Sequence, residues 1–203
     1  MRLEIGRHPV YVRGMYPIRI CLAVGLVVLA PQLFARAQSN NWEQWKEQSE
    51  YAVKSGTPVY IINRHGTVRV RGVPDLHIPV YAMLQDRTDL EGKPSIHVTV
   101  NTAVVVSVEA PSASLDREKS CQVDLVVYTP PGSDVDVTTE DSLVVIKGPD
   151  SAVRVHTGSG GVFVKAKGRL DVRTGRGAIT ALMGRGACAA RSFLHSATGT
   201  IEV

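Results

Sequence analysis

From Val153 to Met183, apolar residues fill alternate positions in short runs broken by glycine, VRVHTGSGGVFV and then LDVRTGRGAITALM. Alternation of this kind marks strands with one buried face. Thr157 recurs as Thr174, Gly160 as Gly177, Val155 as Val172 and Val162 as Ile179, a period of 17 residues. With Gly160 as anchor, the same motif opens at Gly66, Ser142, Gly177 and Gly199; the last spacing widens to 22 through an insertion around Cys188. Two residues after each anchor stand Val68, Val144, Val162, Ile179 and Ile201, and two further on Val70, Ile146, Val164, Ala181 and Val203. A strand-built period near 20 implies coils stacked on copies of themselves. The expected fold is all-β, a solenoid-like stack of short strands with glycine turns and a repeat of 17–22 residues.

Upstream, Pro58 to Gly72 reads as strand, turn, strand, and Ile78–Leu84, Ile96–Val100, Val104–Val108 and the run from Cys121 to Pro130 read as further strands. Polar stretches at 86–94 and 112–120 read as surface loops. One segment departs from this pattern. Trp42, Trp45, Ala52 and Val53 fall at helical spacing, which predicts a short amphipathic helix within residues 38–57. Its two Trp rings would cap the first coil, or dock on a membrane surface. On the outer faces, alternation places Arg154 one rung from Asp171 as an ion pair, and lines up His156, Arg173 and His195 in a column.

Composition changes the picture mainly at the N-terminus. Arg2, Arg7, Arg13 and Arg19 precede the apolar run Ile20–Ala30, and Ala35-Arg36-Ala37 supplies small residues before Gln38. Residues 1–37 therefore read as a signal peptide, with an uncleaved membrane anchor as the alternative. The chain's formal charge of +4 resides entirely in that leader, which holds five Arg and one acid. Residues 38–203 balance 18 bases against 18 acids, so a nucleic-acid partner is not expected. The balance is uneven: 151–203 carry eight bases and only Asp171 and Glu202 as acids. Residues 58–203 form the expected β-repeat domain. Export would place it in the periplasm, at the cell surface or in the medium. There Cys121 and Cys188 are available for a disulfide, two buried thiols being the alternative.

The residues offer little catalytic chemistry. HExxH, GxSxG, Walker and CxxC patterns are absent from the sequence. The TGSGG and TGRG turns join strand to strand, without the helix N-terminus that a phosphate cradle uses. His156 and His195 alone are too few for a metal site. Neither a metal nor a cofactor is expected. Asp134, Asp136, Glu140 and Asp141 are the carboxylates that a polysaccharide-active enzyme would need in pairs, but their alternating pattern reads as exposed acids.

INRHGTVRVRG, VDLVVYTPPGSDVDV and the repeated VxTGxGxVxV together resemble the bacterial toastrack family, a domain of unknown function also labelled putative adhesin. The likeness spans Pro58 to Val203. It implies a coil-stacked β domain outside the cytoplasm and no catalytic residues. Members of that family typically continue with further strands, whereas this sequence reaches Val203 within a repeat.

The function expected is that of a non-enzymatic envelope binding or scaffold module. The candidate binding residues are Arg154, His156, Lys165, Lys167, Arg173, Arg176 and His195, facing an anionic envelope polymer or lipid headgroup. The alternative is a structural subunit self-associating through the edge at Ile201–Val203.

Overall fold

The computed structural model describes residues 42–87, 93–109, 121–184 and 191–203. The leader at 1–37 and the insertion at Cys188 lie outside them, so neither cleavage nor a Cys121–Cys188 bond is addressed by the described residues. Thirteen strands make up the ordered structure among these: β1 (Trp42–Ala52), β2 (Val59–Gly72), β3 (His77–Arg87), β4 (Ser95–Val100), β5 (Val104–Glu109), β6 (Gln122–Thr129), β7 (Val135–Lys147), β8 (Val153–Ser159), β9 (Val162–Ala166), β10 (Leu170–Arg176), β11 (Ile179–Met183), β12 (Phe193–Thr198) and β13 (Ile201–Glu202).

The repeat sets the register. Gly66 pairs with Ser142, and the columns Val68–Val144–Val162–Ile179–Ile201 and Val70–Ile146–Val164–Ala181 run through parallel neighbours. Five rungs result: β2, β7, β8 with β9, β10 with β11, and β12 with β13. Each rung has two arms meeting at the anchor residue. In β7 the buried positions are Val135, Val137 and Thr139 before the anchor, then Ser142, Val144 and Ile146 from it onwards. The parity shift is the corner, because one extra residue there lets both arms turn alternate side chains inward. Both arms thus contribute to one core, in which Val59, Ile61, Val68, Val70, Ile146, Leu170 and Ile179 are wholly buried. Corner carbonyls are satisfied from inside: Thr174 Oγ1 donates to the Gly160 carbonyl at 3.3 Å and Ser196 Oγ to that of Gly177 at 2.9 Å.

The first arm continues above β2 through β5 and β4, and the second through β6, β3 and β1. There the strands leave the solenoid pattern. β4 and β5 form an antiparallel hairpin, and β3 pairs antiparallel with both β6 and β1.

β1 replaces the helix expected within 38–57. Trp45, Glu47, Ser49 and Tyr51 are half-buried at alternate positions and stand opposite Leu84, Ala82, Val80 and Ile78. The open backbone edge of β3 needed a partner, and a strand supplies one while Trp45 and Tyr51 extend the apolar face of β3 against the core. Trp and Tyr also favour strands. Lys93 contacts this edge strand, 3.1 Å from Glu43 and 4.9 Å above the Trp45 ring.

The short link between β2 and β3 holds an exposed pair. His77 Nδ1 lies 3.0 Å from Asp75 Oδ1, and the His77 amide donates to the same oxygen at 3.3 Å. The side-chain hydrogen bond raises the His77 pKa above its ordinary value and lowers that of Asp75. The imidazolium form is the one favoured, so the contribution is present at acidic pH and is lost as pH rises through the raised His77 value. An NMR titration should place His77 above an ordinary imidazole. Asp75→Asn should bring it back, and an unchanged midpoint in that variant would contradict the assignment.

Candidate functional site

The outer faces of the two arms differ in how their charges are matched. On the first arm, Asp136, Arg154, Asp171 and Phe193 form one column across β7, β8, β10 and β12, beside Thr138, His156, Arg173 and His195. Arg154 Nη1 binds Asp136 Oδ2 at 3.1 Å, one rung to the other side of the expected partner Asp171. That hydrogen bond, with the neighbouring Asp171 and Asp134 charges, raises the Arg154 pKa. Asp171 is taken instead by Arg173 Nε on its own strand, at 3.1 Å. The Arg173 guanidinium also lies 5.0 Å from the centre of the Phe193 ring, which stacks on His195. The column of His156, Arg173 and His195 therefore forms as expected, but its cation has a counter-charge.

The acids considered for catalysis are likewise engaged. Asp134 accepts from Ser151 Oγ and the Ala152 amide, Asp141 from Ser159 at 3.0 Å, and Glu140 lies 3.4 Å from Arg64. Among the described residues, no group of three or more His, Cys, Asp or Glu is placed to hold a metal.

The second arm is different. Tyr128, Arg71, Lys147, Lys165 and Leu182 form an outward column across β6, β2, β7, β9 and β11. Beside it run Val126, Arg69, Val145, Phe163 and Thr180. Arg71, Lys147 and Lys165 are exposed, and with half-buried Arg69 they have no ion-pair partner among the described residues. Lys147 Nζ sits 5.4 Å above the Phe163 ring. Arg69, Arg71, Val145 and Lys147 line a surface depression. Asp124, on the neighbouring strand β6, accepts from the Thr67 amide at 2.7 Å.

No family model matches the chain, and no curated protein matches it. Solved structures do. The chain is similar to a putative cell adhesion protein from Clostridium sporogenes, at 8% identity and a TM-score of 0.39, over 79% of this chain and 96% of that one. It is also similar to a putative adhesin from Parabacteroides merdae, at 6% identity and a TM-score of 0.31, over 78% and 96% of the two chains. At these identities and scores the likeness is one of coarse shape and carries no functional argument.

The seven expected binding residues are thus divided. Arg154, His156, Arg173, Arg176 and His195 lie on the first arm, while Lys165 and Lys167 belong to the second. Lys167 is paired with Asp150 at 3.0 Å, which leaves Lys165 to join Arg69, Arg71 and Lys147. Those three are in the same repeat register as the core. Arg71, Lys147 and Lys165 each stand five residues after an anchor, and Arg69 and Phe163 three after. Reading the odd offsets as well as the even ones finds them. At the lower edge, β13 pairs with β11, and Ile201 remains 43% exposed.

Like charges directly opposite one another on neighbouring strands are unfavourable. A fold that needed only solubility would alternate their sign, as the first arm does. Chemically, the second arm offers several donors and fixed positive charges for an anion with more than one charged group.

Proposed function

We propose that this chain is an exported, non-enzymatic β-repeat module that holds an anionic component of the cell envelope on the outer face of its second arm. Acidic glycans and lipid phosphates share the chemistry recognised, negative oxygens presented at short intervals. The observation that carries this reading is the ladder Arg71–Lys147–Lys165, three uncompensated cations on consecutive rungs. The basic leader and apolar run at residues 1–37 support export, as does the toastrack-like repeat pattern. The engaged carboxylates on the first arm support a non-enzymatic role.

Lys165→Glu separates binding from folding, because the two should move in opposite directions. The new carboxylate would lie one rung from Lys147, replacing a like-charge contact by an attractive one. Stability should rise by about 0.5 kcal/mol. Salt-sensitive retention on an immobilised polyanion should fall roughly fivefold, the weight of an exposed ion pair or two. Urea unfolding and salt-gradient elution check the two halves. Retention unchanged in the variant would dismiss this face as the binding surface.

A further inference from the structure

Resting on that reading, we infer that the ligand is an extended acidic polysaccharide lying along the stacking direction, across the strands of the second arm rather than parallel to them. The cations are ordered in that direction. Arg71, Lys147 and Lys165 occupy adjacent parallel strands, which places them about 4.8 Å apart. A pyranose ring advances an extended polysaccharide by a similar distance. The carboxylates of a polyuronate therefore pass the ladder at intervals that its flexible side chains can follow. A ligand running along the strands would meet one or two of these cations and then leave the patch.

The ends of the ladder point to sugar rings. Tyr128 stands one rung above Arg71 and packs edge to face against Tyr81, with ring centres 5.9 Å apart. Phe163 flanks the lower end, with the Lys147 ammonium 5.4 Å from its ring centre. Tyr128 and Phe163 are half-buried, so part of each ring remains open on the outer face. A partly open aromatic ring beside fixed cations suits the C–H face of an acidic sugar, while insertion into a bilayer draws on fully exposed apolar side chains. Charge complementarity sets the sign of the partner, and the half-buried rings favour a glycan over a membrane.

The test is calorimetric titration of the full-length protein with galacturonate oligomers from one to six sugars. Vesicles of phosphatidylglycerol and a single-stranded oligonucleotide serve as parallel probes. Affinity should rise at least tenfold from the monomer to the tetramer and then level off, as the strip from Tyr128 to Lys165 is filled. Phe163→Ala should weaken the tetramer about threefold to tenfold while leaving the salt dependence unchanged. Lys147→Gln should weaken it and flatten the salt dependence. Binding to vesicles or oligonucleotide with none to the oligomers would overturn the glycan assignment and leave the anion-binding face standing. Oligomer binding without length dependence would overturn the orientation. Failure of every polyanion to bind would remove the proposed function together with this inference.

Discussion

Gly160→Ala is expected to destabilise the protein by about 4 kcal/mol, near the upper end of what single substitutions do. Two independent costs meet at this corner. Gly160 has φ of +113°, a conformation that carries strain for a residue with a Cβ. The added Cβ would also fall on the Ser142 carbonyl of the preceding rung, well inside van der Waals contact. Backbone on backbone leaves nothing flexible to yield. Gly161→Ala is the matched control, since its Cβ would meet Leu143 Cδ1 at 3.5 Å and the Ala178 carbonyl at 3.8 Å, both ordinary contacts. That variant should stay within about 1 kcal/mol of the parent. Urea midpoints at constant m-value give both numbers. Equal midpoints for the two variants would mean that the corners tolerate side chains and that the repeat rests on its valines alone.

The same corner explains what the sequence makes legible. Gly66, Gly160, Gly177 and Gly199 are identifiable because a Cβ on any of them would fall on backbone of the neighbouring rung, and Ser142, the one corner that carries a side chain, aligns with them through the valines that follow it. Each coil must repeat the solution of the one above it, so register and core are written in the chain several times over. β1 is written only once. Its residues satisfy a local helical spacing, and what decides otherwise is the open edge of β3, whose paired residues lie 25 to 45 positions away. No local pattern carries that information. The antiparallel pairings of β3, β4 and β5 are hidden for the same reason, since alternation shows that a strand has a buried face but not which neighbour it takes.

The candidate site lies between these cases. Columns of outward residues follow from the anchors, and the arrangement of His156, Arg173 and His195 is found that way. Which columns remain uncompensated does not follow. Asp136 and Asp171 both lie one rung from Arg154, and only side-chain geometry chooses Asp136 and gives Asp171 to Arg173. Simple counting of bases in 151–203 favours that segment, where Arg154, Lys167 and Arg173 are already paired with acids, and passes over Arg69, Arg71 and Lys147.

The combined reversal Arg71→Glu, Lys147→Glu and Lys165→Glu is expected to reduce polyanion retention at least about a hundredfold. Each exposed pair contributes up to roughly 1 kcal/mol, and reversal replaces an attraction by a repulsion of similar size, so three positions together reach two decades. Net charge alone would also weaken retention, and a control of equal charge isolates position. Arg169→Glu, Arg176→Glu and Arg191→Glu alter three exposed cations off the second arm's ladder, again without ion-pair partners among the described residues. This control should lose no more than about fivefold, because charges beyond a Debye length of about 8 Å at physiological salt are largely screened. Both variants should keep the β signature in circular dichroism and melt within a few degrees of the parent, since none of the six side chains is buried. If the two variants lose retention equally, binding follows overall charge and no face of the stack is special. If only the ladder variant loses it, the Arg71–Lys147–Lys165 ladder of the second arm is the binding face, and the first arm is the ordinary surface of the solenoid.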